Sequence, residues 1–98
     1  MISLTNSESN LQQKCVAYLK KRKIYHVNVH GGGWGAKGTP DILACINGDF
    51  VAFELKVGSN KMQPDQIIHQ RRIVRSGGKH YTPYTVKEFI EIIEGLIT

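Results

Sequence analysis

Two short runs hold the residues best suited to chemistry: Pro40-Asp41, and Glu54-Leu55-Lys56 further along, with Asn47-Gly48 between them. Asn-Gly is favoured in two-residue type I′ hairpin turns, because both central positions need positive φ. Such a turn pairs Ile46 with Asp49, so paired residue numbers share a constant sum and Asp41 falls opposite Glu54. Directly opposed residues have Cβ atoms roughly 4.5–5.5 Å apart on one face of a sheet, close enough for two carboxylates to grip one hard cation. Strand residues alternate faces, so Lys56 shares the side of Glu54 while Val51, Phe53 and Leu55 turn to an apolar side. Two facing carboxylates and a lysine suit metal-assisted phosphodiester hydrolysis. Mg²⁺ or Mn²⁺ held by Asp41 and Glu54 would polarise the phosphate, and Lys56 would orient or deprotonate the attacking water.

The rest of the chain must position that hairpin. Thr5 and Glu8 have capping-box spacing for a first helix ending near Lys23, with Leu11, Cys15, Tyr18 and Leu19 as its core stripe. Glu8 lies at the N-terminal end of this stripe, where it fits both a helix cap and an acid reaching over the sheet. Lys20 to Lys23 form a basic helix end that suits the macrodipole and is also available to phosphate. A strand is expected over Ile24 to His30, with Val27 and Val29 on one side. Gly31 to Gly38 holds five glycines in eight residues, around Trp34 and Lys37. Gly33-x-Gly35-x-x-Gly38 matches the dinucleotide fingerprint formally, but Pro40 and a strand follow where that motif needs a helix. The loop is better read as letting backbone approach a bulky ligand, with Trp34 and Lys37 available for base and phosphate contacts.

After the hairpin, a polar turn over Val57 to Lys61 leads to Gln63-Pro64, a helix start with proline at its first position. This helix should run to about Ser76 and stop at Gly77-Gly78, with Ile67, Ile68 and Val74 toward the sheet and His69, Arg72 and Arg75 supplying positive charge. Tyr81 to Tyr84 reads as a strand parallel to the Phe50 to Lys56 strand through a right-handed crossover. Thr85 and Glu88 form another capping box, opening a last helix through Phe89, Ile90, Ile93 and Ile97. Ile92 and Leu96 widen its apolar face, which predicts a surface for a partner subunit.

Ninety-eight residues make one domain, 1–98, in an α/β mixed sheet flanked by helices with the order αβββαβα. The hydrophobic share is 41%, and nothing approaches the roughly 18 consecutive apolar residues of a membrane span. The first ten residues lack a secretory pattern, which predicts a cytoplasmic protein. Cys15 and Cys45 lie in apolar patterns and read as buried thiols rather than a disulfide or zinc site. A net charge of +5 favours a polyanionic partner. The site acids are three of only eight carboxylates, so the remaining surface is more basic still. Lys37, Lys61, Arg72 and Arg75, with Trp34, are the candidate DNA contacts.

Pro40-Asp41 with Glu54-Leu55-Lys56 resembles the signature of the PD-(D/E)XK nuclease superfamily, and the likeness is closer to its VRR-NUC branch. Glu8-x-x-Leu11-Gln12, Gly38-Thr39-Pro40-Asp41, Glu54-Leu55-Lys56, Pro64-Asp65-Gln66 and Gly77-Gly78 look like that branch's successive motifs and span most of the chain. The resemblance implies a restriction-endonuclease-like fold, with Asp41 and Glu54 as metal ligands, the Leu55 carbonyl as a backbone ligand and Lys56 as the catalytic lysine. It also implies that Glu8 belongs near the metal and Gln66 beside the site. A domain this short looks like small viral and bacterial members, which resemble Holliday-junction resolvases. The expectation is a Mg²⁺- or Mn²⁺-dependent endodeoxyribonuclease for duplex or branched DNA, working in the cytoplasm, or in the host cytoplasm if viral. One metal site cuts one strand at a time, so cutting two strands together favours a twofold homodimer, placed here through the C-terminal helix. Two other readings are a sequence-specific restriction endonuclease, for which the chain has little base-reading material, and a non-catalytic DNA-binding module.

Overall fold

The computed structural model describes residues 7–29 and 36–98. Thr5, Trp34 and most of the glycine-rich loop lie outside this range, and the roles expected of them lie outside it too. The chain order is α1 (Ser7–Lys21), β1 (His26–Asn28), β2 (Ile42–Ile46), β3 (Asp49–Phe53), α2 (Pro64–Arg75), β4 (Lys79–Tyr81) and α3 (Val86–Ile97). This is the expected αβββαβα order.

The hairpin forms as its turn chemistry requires. Asn47 and Gly48 have φ of 57° and 87°, and β2 pairs with β3 from Ile46–Asp49 to Ile42–Phe53. Carried one rung further, this register sets Asp41 against Glu54. β1 adds antiparallel to β2, and β4 adds parallel to β3, giving the sheet order β1-β2-β3-β4. Beyond β3 the chain stays extended: the Glu54 N–H donates to the Tyr81 carbonyl at 3.0 Å and the Lys56 N–H to that of Pro83 at 3.2 Å. These bonds hold Glu54 and Lys56 rigidly along the sheet although the strand proper ends at Phe53.

One sheet face carries the core. Ile42, Ala44, Ile46, Val51 and Phe53 pack with Leu11, Cys15 and Leu19 of α1 and with Phe89 and Ile93 of α3. Each large side chain fully buried here contributes on the order of 1.5–3 kcal/mol. Phe53 and Phe89 meet with ring centroids 4.7 Å apart, and Tyr18 of α1 and Arg22, just past its end, both bond Glu94 of α3. The two helices are thereby joined to one another as well as to the sheet.

Several expectations need correction. α1 ends at Lys21 rather than Lys23, because Lys23 takes a left-handed conformation (φ 57°) and turns the chain. β1 is shorter than Ile24 to His30, and Arg22, in the basic run, is engaged with α3. β4 spans Lys79–Tyr81 rather than Tyr81 to Tyr84. Gly77, at φ 99°, ends α2 sharply, and the chain enters the sheet at once; Pro83, with no N–H, then closes the ladder. Ile68 and Val74 do not face the sheet but are 55% and 54% exposed, and α2 buries no residue completely. Cys45 is exposed, whereas Cys15 is buried with its thiol pushed up to about 12 by burial. The apolar breadth of α3 does not remain free for a partner, since Ile92, Leu96 and Ile97 pack against the core.

Candidate active site

The site lies at the end of the sheet away from the Asn47-Gly48 turn. Asp41 enters β2 there and Glu54 leaves β3. Glu8, in the first turn of α1, completes the group: one carboxylate oxygen from each of Glu8, Asp41 and Glu54 lies within 4.8 Å of the others. Glu8 thus stands with the two hairpin acids, while the Thr5 half of its expected capping box lies outside the described residues.

Each acid is held differently. Asp41 is 9% exposed, and its Oδ2 accepts the Leu55 N–H at 2.8 Å. That bond closes the hairpin end, so Leu55 serves the site through its N–H while its side chain is buried in the core. Glu54 is 3% exposed, and its Oε2 accepts the Gln66 side-chain amide at 3.0 Å. Lys56 Nζ stands 3.7 Å from the same oxygen. Burial, and secondarily the charge of Asp41, push the Glu54 carboxyl from its ordinary value up to about 8. Lys56 opposes this shift without cancelling it.

Gln66 reaches the site because α2 begins where it does. Its Oε1 accepts the Gln63 N–H at 2.7 Å, so one amide closes the start of the helix and holds Glu54 with its other end. Gly38 supports the same corner: at φ 90° it passes so near α2 that a Cβ would stand 2.7 Å from the Asp65 carbonyl carbon and oxygen. Lys37 Nζ lies 3.9 Å from Asp65 Oδ2, with its side chain 93% exposed. The other basic candidates spread outward from this corner. Lys61 is exposed just before α2, and Arg72 and Arg75 are exposed in its last turn.

The sequence reading quoted Gln12 only within the Glu8-x-x-Leu11-Gln12 motif and gave Asn28 no role. Gln12 is only 6% exposed, one helical turn beyond Glu8, and its amide donates to Asn28 of β1. Asn28 pairs with Ile42, next to Asp41. The signal available was a polar residue at i+4 from Glu8 on the inward side of the helix.

The donor set fits a divalent cation. Three carboxylates converge with one lysine, and Glu54 Oε1 is buried with no hydrogen-bond partner among the described residues. Buried polar atoms nearly always have a partner, and a hard cation accepts such oxygens. Glu8, Asp41 and Glu54 are the residues that would hold one.

The element order, with acids where β2 begins and β3 ends, defines a restriction-endonuclease-like α/β fold. Among solved structures, a VRR_NUC domain matches with TM-score 0.73 and 20% identity, over 90% of this chain and 95% of that one. The Holliday junction resolvase Hjc of Archaeoglobus fulgidus matches with TM-score 0.58 and 20% identity, over 79% of this chain and 67% of that one. No family sequence model matches the chain, and no curated protein matches it in sequence. The likeness is therefore one of fold, and it coincides with the branch that the motifs resemble. No helix among the described residues is long and apolar enough to cross a membrane.

Proposed function

We propose that residues 1–98 form a single nuclease domain, a Mg²⁺- or Mn²⁺-dependent endodeoxyribonuclease that hydrolyses DNA phosphodiester bonds with a preference for branched DNA such as four-way junctions. The observation that carries this reading is the convergence of Glu8, Asp41 and Glu54 with Lys56 set against Glu54. When bound, the ion supplies charge stabilisation at the phosphate and acidifies water. Asp41, fixed by the Leu55 N–H, and Glu54, fixed by Gln66, hold their oxygens in place without needing to reorganise. The Leu55 carbonyl is assigned as a further ligand. Lys56 Nζ orients the attacking water and takes part in moving its proton.

Lys37, Lys61, Arg72 and Arg75 bind the phosphates that flank the site, in keeping with the net charge of +5. The preference for branched DNA rests on the fold shared with a Holliday junction resolvase. The two free thiols suit a cytoplasmic setting. Cutting two strands together calls for two copies of the site, and hence a homodimer. A non-catalytic module fits less well, because every acid and the lysine are present and assembled.

The test is cleavage of plasmid, linear duplex and four-way-junction DNA with Mg²⁺ or Mn²⁺, comparing wild type with Lys56→Ala. The expected result is junction cleavage by wild type and a loss of roughly 100-fold or more in the variant. Equal cleavage by both would remove Lys56 from the mechanism. Binding without cleavage by either would favour the non-catalytic module.

A further inference from the structure

Phe50 is an aromatic residue that the core does not take up: it is 49% exposed on a strand whose Val51 and Phe53 are fully buried. Its ring is nonetheless seated. Gly78, just before β4, lies so close that a Cβ there would stand 2.9 Å from Ile73 Cγ2 and 3.1 Å from Phe50 Cδ2, so bare glycine backbone lets the ring rest against α2. With His69, Arg72 and Ser76 these residues line an open groove of about 380 Å³, toward the small end of the roughly 300–1,000 Å³ usual for ligand sites.

The groove favours an anion as well as a flat apolar group. Arg72 is exposed and has no carboxylate partner among the described residues. Asp49, the carboxylate next to Phe50 in sequence, is paired with Lys79 at 3.4 Å. The last carbonyls of α2, which would repel a phosphate, are covered: the N–H groups of Ser76, Gly77 and Gly78 donate to those of Arg72, Ile73 and Val74. The groove is also connected to the acids. Gln66, His69 and Arg72 are successive neighbours at three-residue steps along α2, and His69 Nε2 stands 3.2 Å from the Lys37 carbonyl oxygen. Phe50 precedes Glu54 by four residues on one extended run, roughly 13 Å, a span of a few nucleotides.

We propose that this groove holds one unpaired nucleotide of a DNA strand engaged at the acids, with its base stacked on Phe50 and its phosphate against Arg72. An aromatic platform accepts any base, since every base has a π-face. A paired base lies inside its own stack and cannot reach Phe50 without being extruded. The proposal rests on the nuclease reading and narrows it: among branched DNAs, those with an unpaired nucleotide near the cut, in a tail or a bulge, are held more tightly than fully paired arms.

The test is binding by the whole metal-free chain, followed by fluorescence polarisation of a labelled oligothymidine and of the same strand with abasic sugars in place of its central thymidines. The intact strand should bind roughly 5- to 100-fold more tightly than the abasic one. Phe50→Ala should erase that margin with an unchanged circular dichroism spectrum, the side chain being half exposed, and Phe50→Trp should keep it. Arg72→Gln should weaken both strands alike and reduce the salt dependence. Equal wild-type affinity for the two strands overturns the proposal, and so does a Phe50→Ala margin as large as that of wild type. A wild type that binds neither strand yet cleaves junctions with Mn²⁺ overturns the proposal alone, whereas one that binds neither and cleaves nothing overturns the nuclease reading as well.

Discussion

Glu54 combines deep burial with a facing acid, and the result is a testable proton balance. Between the ordinary carboxyl value of 4.5 and about 8, the folded metal-free protein keeps a proton on Glu54 that the unfolded chain has released. This contribution to stability is complete below the lower value and declines as pH climbs through the upper one. Thermal melts of metal-free protein should lose stability on the order of 2–4 kcal/mol across that interval, and Glu54→Gln should flatten the slope. Added Mn²⁺ should raise the wild-type midpoint most at the alkaline end, where the carboxylate is charged. Gln66 offers a second separation of roles. Gln66→Glu keeps an oxygen for the Gln63 N–H but has no amide to give Glu54. It should leave α2 folded by circular dichroism and lower cleavage roughly 10- to 100-fold, as substitutions supporting metal ligands do.

Two glycines in left-handed conformations separate local strain from lack of room. Gly48 has open space where a Cβ would go, whereas Gly38 faces the backbone of α2. Gly48→Ala should therefore cost only about 1 kcal/mol of backbone strain, with cleavage intact. Gly38→Ala should displace the start of α2 and lose cleavage as well as stability; denaturant melts and a cleavage assay on both variants check the contrast. The elements most legible in the sequence were those set by such local rules. Asn47-Gly48 determined the hairpin register, Pro64 marked the first residue of α2, and Thr85 capped α3 through its bond from the Glu88 N–H. The reciprocal bond of that cap was not legible: Glu88 reaches back to the Tyr84 N–H instead of that of Thr85. Tertiary facts were read less well. Cys45 looks buried in a window of apolar residues, but a strand has two faces and only packing reveals which one is covered. Ile68 and Val74 were misassigned for a similar reason, since α2 rests on the sheet without burying an apolar stripe. Of the site, Asp41, Glu54 and Lys56 followed from register, whereas the weight given to Glu8 came from the motif resemblance until the fold brought it to the other acids.

At the scale of the whole molecule, the helices are anchored unequally. α1 and α3 each bury residues in the core and are joined through Glu94. α2 buries none completely; its first turn is held by the Gln66–Glu54 bond and the close approach of Gly38, and beyond that His69 meets the Lys37 carbonyl and Ile73 lies against Gly78. Regions with few buried contacts open without global unfolding. Amide hydrogen exchange should accordingly be fastest, among the three helices, in the interior of α2, with protection well below that of α1 and α3. Uniform protection across all three helices would contradict this. Exchange in α2 should slow when Mn²⁺ is added, because stabilising Glu54 in place also stabilises the partner that holds Gln66. The same amide that positions an acid thus makes the opening of one helix report whether the acids are engaged, so ion binding can be followed by deuterium uptake at backbone sites that touch no ion.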